Sequence, residues 1–212
     1  RGSTIVFVAE GDLWRVGIEG GVATRLTTHP GEETSPAISP DGSTLAFIAS
    51  YEGPREVYTM PLLGGLPTRV TYDGVGRSAF VAWAGNTTLL HSTGDGTTIP
   101  RTRLALFDTG TRARTMIPLD QAADGAMLGD DKSIVFTRLP FQGSHTDRYQ
   151  GGTAQQLWRF TLPALGQRSD EAVPLTRDYP GTSKRPMFWN GRIYFTGDRD
   201  GRMNVWSMNP DG

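Results

Sequence analysis

Four kinds of short strand recur in a fixed order along this chain of 212 residues, and the repeat limits the fold more than any other feature. The most regular kind is an unbroken apolar run such as residues 45–49, with counterparts at residues 5–9, 89–91, 134–136 and 193–195. A strand with one wet face alternates apolar and polar residues, whereas an unbroken run indicates burial on both faces. We therefore expect these runs to lie between neighbouring sheets.

The other three kinds keep constant places around the apolar run. A strand that ends in a turn precedes it, as in residues 35–39. The next residues, Pro40, Asp41 and Gly42, have the residue types of a tight turn. A partly alternating strand follows it, at residues 13–16, 57–60, 104–107, 157–160 and 205–208. A short polar strand comes last, at residues 24–27, 68–71, 114–117 and 174–176, as suits an outer edge that must not pair with other chains.

The spacing of the repeat predicts an all-β fold, a β-propeller of four-stranded blades. The centres of the apolar runs fall at residues 7, 47, 91, 136 and 195, and four strands in every 40–50 residues or so is typical of propeller blades. A β-sandwich would also give many short strands, but not four kinds in fixed order.

The chain begins in a second strand and stops after a third, so we expect about four and a half blades. We expect residues 1–212 to form one partial propeller domain, truncated within a blade at both ends, because an open ring would leave unpaired edges. Arg1 is not an initiator methionine, which indicates that a preceding segment has been removed or left out.

Composition limits the classes of function. The net charge is -1 and charges of both signs are mixed along the chain, which argues against a nucleic-acid or membrane-surface protein because both usually need a basic patch. The chain has no cysteine, so disulfides and thiolate metal sites are excluded. No apolar run approaches the ~20 residues of a membrane span.

The sequence indicates no catalytic residues and no cofactor. Ser144, His145 and Asp147 have the residue types of a nucleophilic triad, but triad members normally converge from separate elements rather than from one loop. Phosphate loops, dinucleotide fingerprints and nucleophile elbows are missing.

A metal site is not expected either. The histidines His29, His91 and His145 fall in different blades, and His91 takes the place of Phe47 in the repeat, which favours a core histidine. Residues 198–201 have a faint calcium-loop character but lack the further acidic ligands, so a hairpin turn explains them better. Asp130 and Asp131 also occupy a turn position.

The largest departure from the repeat is a long loop at residues 139–156 of the fourth blade. It carries aromatic and polar groups together, namely Phe141, His145, Arg148 and Tyr149. Loops on a rigid scaffold often carry function, so these four residues are candidates for a functional or interdomain contact. The alternative is a rim loop that merely packs on a neighbouring blade or domain.

Longer segments narrow the family. The repeat itself resembles those of the Tol-associated and tricorn propellers. Residues 5–14, the loop Arg148-Tyr149-Gln150-Gly151-Gly152-Thr153 and residues 192–201 resemble the six-bladed amino-terminal propeller of the tricorn protease and its bacterial homologues. The resemblance covers essentially the whole chain, and the Gly-Gly-Thr loop is its most specific part.

This resemblance implies a function for the parent chain. It implies a serine peptidase with further domains, assembled as a homohexamer, in which this propeller is a non-catalytic region that shapes or gates a channel for peptide substrate or product. A pair of basic residues on one propeller loop is implied to hold the substrate carboxylate; here the matching loop, residues 72–79, is shortened and offers only Arg77. The resemblance suggests a cytoplasmic protein, while many bacterial relatives look exported.

Two alternatives remain open at this point. One is a stand-alone protein-interaction propeller of the Tol-associated type, which the sequence after Gly212 would distinguish. The other is a propeller enzyme such as a polysaccharide lyase, with metal-bound histidines; substituting His91 and His145 without loss of bound metal would count against it.

Overall fold

The computed structural model describes residues 2–74, 79–97, 101–140, 148–164 and 171–212. All regular secondary structure within these ranges is β-strand. Eighteen strands are described, numbered in chain order. They are β1 (Thr4–Ala9), β2 (Asp12–Gly17), β3 (Thr24–Arg25), β4 (Glu33–Ile38), β5 (Thr44–Ala49), β6 (Glu56–Pro61), β7 (Thr68–Arg69), β8 (Val81–Trp83), β9 (Thr88–Thr93), β10 (Arg103–Asp108), β11 (Arg114–Met116), β12 (Asp124–Met127), β13 (Ser133–Thr137), β14 (Leu157–Thr161), β15 (Val173–Pro174), β16 (Ser183–Trp189), β17 (Arg192–Gly197) and β18 (Asn204–Met208).

Strands that follow one another in the chain lie side by side in five sheets: β1–β3, β4–β7, β8–β11, β12–β15 and β16–β18. The same cross-strand pair recurs between the apolar strand and the alternating strand, as in Phe7 opposite Trp14, Phe47 opposite Tyr58, Phe136 opposite Trp158 and Phe195 opposite Trp206. The four kinds of strand and their order within a blade are therefore as predicted. About four and a half blades were expected. The structure describes five sheets, of which the first and the last have three strands instead of four.

The chain divides into two compact units. Unit 1 comprises residues 1–96 and 105–115, and unit 2 comprises residues 97–104 and 116–212. Unit 1 therefore holds the first two sheets and most of the third, and unit 2 holds the last two sheets.

The core of unit 1 lies on both faces of β5. Every residue from Leu45 to Ala49 is fully buried, as the unbroken apolar run predicts. On one face Phe47 packs with Leu13 of the first sheet, and on the other Ile48 packs with Val81 and Leu89 of the third. This burial on two sides explains why β5 needs no polar residue at any of these five positions.

The turn before β5 is built as its residues indicate. The Ser43 backbone N–H donates to the Asp41 carboxylate at 3.0 Å, and Gly42 has a φ of 75°. Hydrogen bonds from the Ser39 and Ser43 hydroxyls lower the pKa of Asp41. The carboxylate thus stabilises the turn that reverses the chain into β5.

The core of unit 2 lies between its two sheets. Val135 and Leu157 of the β12–β15 sheet pack with Ile193 and Phe195 of the β16–β18 sheet, and all four are buried. The other face of the last sheet exposes Met187, Trp189 and Val205.

A β-bulge occurs at the same place in two first-position strands. The register of β4 with β5 shifts between Thr34 and Ala37, and that of β16 with β17 shifts between Lys184 and Met187. Inside each bulge one residue has a left-handed backbone, Ser35 with φ 54° and Arg185 with φ 53°. Bulges re-aim side chains and tighten the twist of a strand. The repeat pattern did not predict them.

Candidate functional site

Only part of the predicted site lies within the described residues. Arg77, Phe141 and His145 fall outside them, as does the set Ser144, His145 and Asp147. Arg148 and Tyr149, at the end of the long loop, are described and belong to unit 2.

Arg148 is held in place through a hydrogen bond of its backbone N–H. Its N–H donates to the Asp198 carboxylate at 2.6 Å, and its φ of 55° is left-handed. The neighbouring Tyr149 hydroxyl accepts a hydrogen bond from Thr153 at 2.9 Å. The end of the long loop is therefore fixed onto the turn between β17 and β18.

Asp198 is the residue around which this part of unit 2 is assembled. It is fully buried and also accepts hydrogen bonds from the Tyr179 hydroxyl at 3.0 Å and the Thr182 N–H at 2.9 Å. Burial and the hydrogen bond to Asp198 raise the pKa of Tyr179. The sequence pattern predicted the turn at residues 198–201, and the Gly201 N–H does bond the Asp198 carbonyl. The anchoring role of the carboxylate was not predicted.

The adjacent Arg199 is used for packing. Its guanidinium lies over the rings of Tyr179 and Phe195, 4.6 and 4.9 Å from their centroids, and donates to the Ser183 hydroxyl at 3.1 Å. A cation held over aromatic faces stabilises the fold.

In three blades, a threonine two residues after the last strand of the sheet binds the backbone of the strand before it. Thr27, Thr71 and Thr176 accept the backbone N–H of Leu13, Val57 and Leu157 respectively, at 2.9 to 3.0 Å. The Thr71 hydroxyl then donates to Glu56 at 2.5 Å, and the Thr176 hydroxyl donates to Gln156 at 2.6 Å. We call this arrangement the threonine latch. It satisfies a buried N–H that the sheet ladder leaves free.

Thr27 donates instead to Glu33, a fully buried carboxylate at the start of β4, at 2.7 Å. Glu33 also accepts the Tyr51 hydroxyl at 2.6 Å. Burial, with this hydrogen bond to Glu33, raises the pKa of Tyr51 strongly. The carboxylate joins the first sheet to the second, as Glu56 joins β6 to Arg69 and to the Gly74 N–H.

His91 is a core histidine, as predicted from its place in the repeat. It is fully buried, and its Nε2 has no hydrogen-bond partner in the described part of the chain. Burial lowers the pKa of His91, and the nearby Asp73 carboxylate opposes that shift. Burial thus favours the neutral form of the ring.

An ion bridge lies close to His91 in unit 1. Arg114 donates to Asp73 at 2.7 Å and also to Asp95. The second Asp73 oxygen is buried without a partner among the described residues. Arg114 thus connects two loops, one after β7 and one after β9.

In unit 2 the bulged strand β16 brings charges together at the start of the sheet. Burial lowers the pKa of Lys184, and the neighbouring Arg185 acts in the same direction. Burial raises the pKa of Asp124, while Thr137 and Arg185 act against the rise. Arg185 itself is exposed, so this first strand of the sheet presents a cation to solvent.

Taken together, the buried polar side chains bind other parts of the fold and hold strands and loops in place. No cluster of three or more His, Asp or Glu side chains able to hold a metal occurs within residues 2–74, 79–97, 101–140, 148–164 and 171–212. In the same ranges no helix is long and apolar enough to cross a bilayer.

Comparison with known proteins agrees with the repeat. A family model described as the tricorn protease N-terminal β-propeller domain matches residues 1–212. Tricorn protease homolog 1 of Streptomyces coelicolor is 28% identical over 214 residues, covering 100% of this chain and 19% of the relative. Tricorn protease of Thermoplasma volcanium is 24% identical over 224 residues, covering 100% of this chain and 20% of the relative. The chain thus spans about a fifth of the length of these relatives.

Solved structures show the same fold. The crystal structure of the tricorn protease matches with a TM-score of 0.78 and 24% identity, over 100% of this chain and 21% of that one. TolB from Acinetobacter baumannii matches with a TM-score of 0.75 and 18% identity, over 99% of this chain and 50% of that one. These likenesses show the β-propeller fold alone. Because the family model spans the whole sequence, the chain belongs to the tricorn protease N-terminal β-propeller family.

Proposed function

We propose that this propeller is the non-catalytic part of a tricorn-like serine peptidase and that it shapes or gates a channel for peptide substrate or product. The observation that carries the proposal is the family match over residues 1–212. The relatives are several times longer than this chain, which leaves room for a catalytic domain elsewhere in the parent polypeptide. Other domains of that polypeptide, and further copies of it in a homohexamer, are the expected partners.

The use of polar groups within the described chain supports this passive role. Glu33, Glu56, Gln156 and Asp198 each accept or donate hydrogen bonds that join separate strands or loops. A catalytic group must keep an atom available for the reacting molecule. These four side chains are instead engaged in stabilising the sheets.

The first strands of the sheets also suit a channel wall. In a propeller the innermost strands surround the central opening, and the first-position strands β4 and β16 carry the two left-handed bulges. Arg185, in the second bulge, is exposed. A cation at that place would attract the carboxylates of passing peptides.

The experiment compares long and short substrates of the full-length parent protein. Arg185→Glu should lower kcat/KM for a peptide of many residues by about three- to tenfold, as expected for one partly screened charge. A small neutral chromogenic amide should be hydrolysed at nearly the unchanged rate. Arg202→Glu is the matched control, because Arg202 is also exposed but lies in the turn between β17 and β18.

Two results would contradict the proposal. One is an equal effect of Arg185→Glu and Arg202→Glu on the long peptide. The other is peptide hydrolysis by the isolated, contaminant-free 212-residue chain, since no catalytic residues are assigned to it.

A further inference from the structure

A cavity of about 230 Å³ lies at the outer end of the β12–β15 sheet in unit 2. It is lined by Trp158 of β14, by Pro174 of β15, and by Arg177, Tyr179 and Pro180. The lining is completed by Gly151, Ala154 and Gln156, from the last part of the long loop. Small-molecule sites are usually roughly 300–1,000 Å³, so this cavity is sized for one large side chain rather than a cofactor.

Hydrogen bonds between residues of the chain hold the walls of the cavity in place. The Gln156 amide donates to the Tyr179 carbonyl at 3.0 Å and to the Gly181 carbonyl at 2.5 Å. The Tyr179 hydroxyl is bound by Asp198, and the Ala154 N–H donates to the Gly151 carbonyl at 2.9 Å. A cavity with fixed walls loses little conformational freedom when it is filled.

Trp158 departs from its equivalents in the repeat. Trp14 and Trp206, at the same register, donate their indole N–H to the carbonyls of Ala9 and Gly197, at 3.2 and 3.0 Å. Among the residues that the structure describes, no acceptor is bonded to the indole N–H of Trp158. The one of these three tryptophans that lines a cavity is therefore the one that keeps its donor available.

The one charged side chain among these lining residues is the cation Arg177. Arg177 is exposed, and no carboxylate of the described ranges forms an ion pair with it. The Arg138 guanidinium lies 5.5 Å from the centre of the Trp158 ring. The side-chain groups of Trp158, Arg177 and Arg138 are thus donors and cations, which favour a ligand with acceptor oxygens.

We propose that this cavity binds a peptide segment that presents a large apolar side chain next to a carboxylate. The apolar side chain fills the space between Trp158, Pro174 and Pro180, and the carboxylate is paired with Arg177. Trp, Tyr and Arg are the residues that most often dominate binding energy at protein–peptide contacts. The proposal does not rest on the channel function, because the cavity is lined by the outer strands β14 and β15 and not by β12.

Three short probes separate the possible sources of the carboxylate. N-acetyl-Ala-Phe as the free acid offers a terminal carboxylate, N-acetyl-Asp-Phe-amide offers a side-chain carboxylate, and N-acetyl-Ala-Phe-amide offers neither. Binding is followed by the indole N–H signals of the five tryptophans in ¹H–¹⁵N correlation spectra, with Trp158→Phe identifying the signal of Trp158. We expect a saturable shift of that signal with one or both acidic probes, and about threefold weaker binding of the neutral probe.

Variants test the two parts of the site separately. Ala154→Leu should fill the cavity and abolish binding of all probes without removing a donor, while the other indole signals keep their positions and show that the fold is intact. Arg177→Gln should weaken the acidic probes by about threefold and leave the neutral one unchanged. Arg202→Gln, on an exposed arginine of the β17–β18 turn, is the matched control.

Three results would overturn the proposal. The first is the absence of a saturable shift at Trp158 with any probe at millimolar concentration. The second is equal affinity for the acidic and neutral probes. The third is binding by the folded Ala154→Leu variant that equals binding by the unmodified chain.

Discussion

The threonine latch makes a strong prediction at Thr71, a buried residue that follows β7. Thr71→Val keeps the shape of the side chain and removes the hydroxyl. The Val57 N–H then loses its acceptor at 2.9 Å, and one Glu56 oxygen loses its donor at 2.5 Å. Both groups stay buried, since Glu56 and Val57 are 0% and 1% exposed.

The magnitude follows from these two losses. A buried polar group left without a partner costs about 1–3 kcal/mol, and the isosteric side chain adds no cavity term. The Glu56 carboxylate keeps Arg69 and the Gly74 N–H as donors to its other oxygen, so the cost of the bond lost at Glu56 lies at the lower end of that range. We expect the free energy of unfolding to fall by about 2–4 kcal/mol in total.

Urea unfolding followed by tryptophan fluorescence measures this change. Thr59→Val is the matched control, because Thr59 lies in the same strand β6 and its hydroxyl forms no hydrogen bond within the described residues. The control should shift the midpoint little, and the slope m should be unchanged in both variants. If Thr71→Val is no less stable than Thr59→Val, the latch does not stabilise the blade and the reasoning is wrong.

Two further substitutions test other buried polar groups. His91→Phe inserts the residue that the repeat has at Phe47. Burial lowers the pKa of His91 in the folded protein below 6.5, so the unfolded chain takes up the proton first as the pH falls below that value. The free energy of unfolding of the unmodified protein then decreases by up to about 1.4 kcal/mol per pH unit because of this group. The variant lacks the group and should not show this decrease. Urea unfolding at neutral and mildly acidic pH measures this, and identical pH slopes would contradict it. Asp198→Ala removes the acceptor of the Arg148 N–H. It should speed hydrogen exchange of that amide and lower the free energy of unfolding by about 2–4 kcal/mol. Asp200→Ala in the same turn is the control, and an equal exchange rate of the Arg148 amide in the two variants would show that Asp198 does not anchor the loop.

The strands were predictable because their signal is local. An apolar run such as residues 45–49 reports burial on both faces, and it is buried between two neighbouring sheets. The turn at Asp41 and Gly42 is likewise determined by the residues that form it. The core position of His91 followed from alignment with Phe47.

The polar contacts were not predictable, because their partners are distant in sequence. Asp198 has the composition of an ordinary turn residue, and its bond to Arg148 spans 50 positions. Thr71 looks like one more polar residue on an edge strand until the fold places it beside Glu56. The bulges at Ser35 and Arg185 have no sequence signal either, since neither residue is glycine or asparagine.

The threonine latch also bears on the order in which the chain folds. Thr27 and Thr71 each lie 14 positions from the backbone group that they bind, so each latch closes only a short loop and costs little chain entropy. Contacts between neighbouring sheets of unit 1 reach further, as in the bond from Trp83 to Ala37 over 46 positions. A nucleus can therefore form within one blade and extend to the next, in the nearest-neighbour manner of repeat proteins.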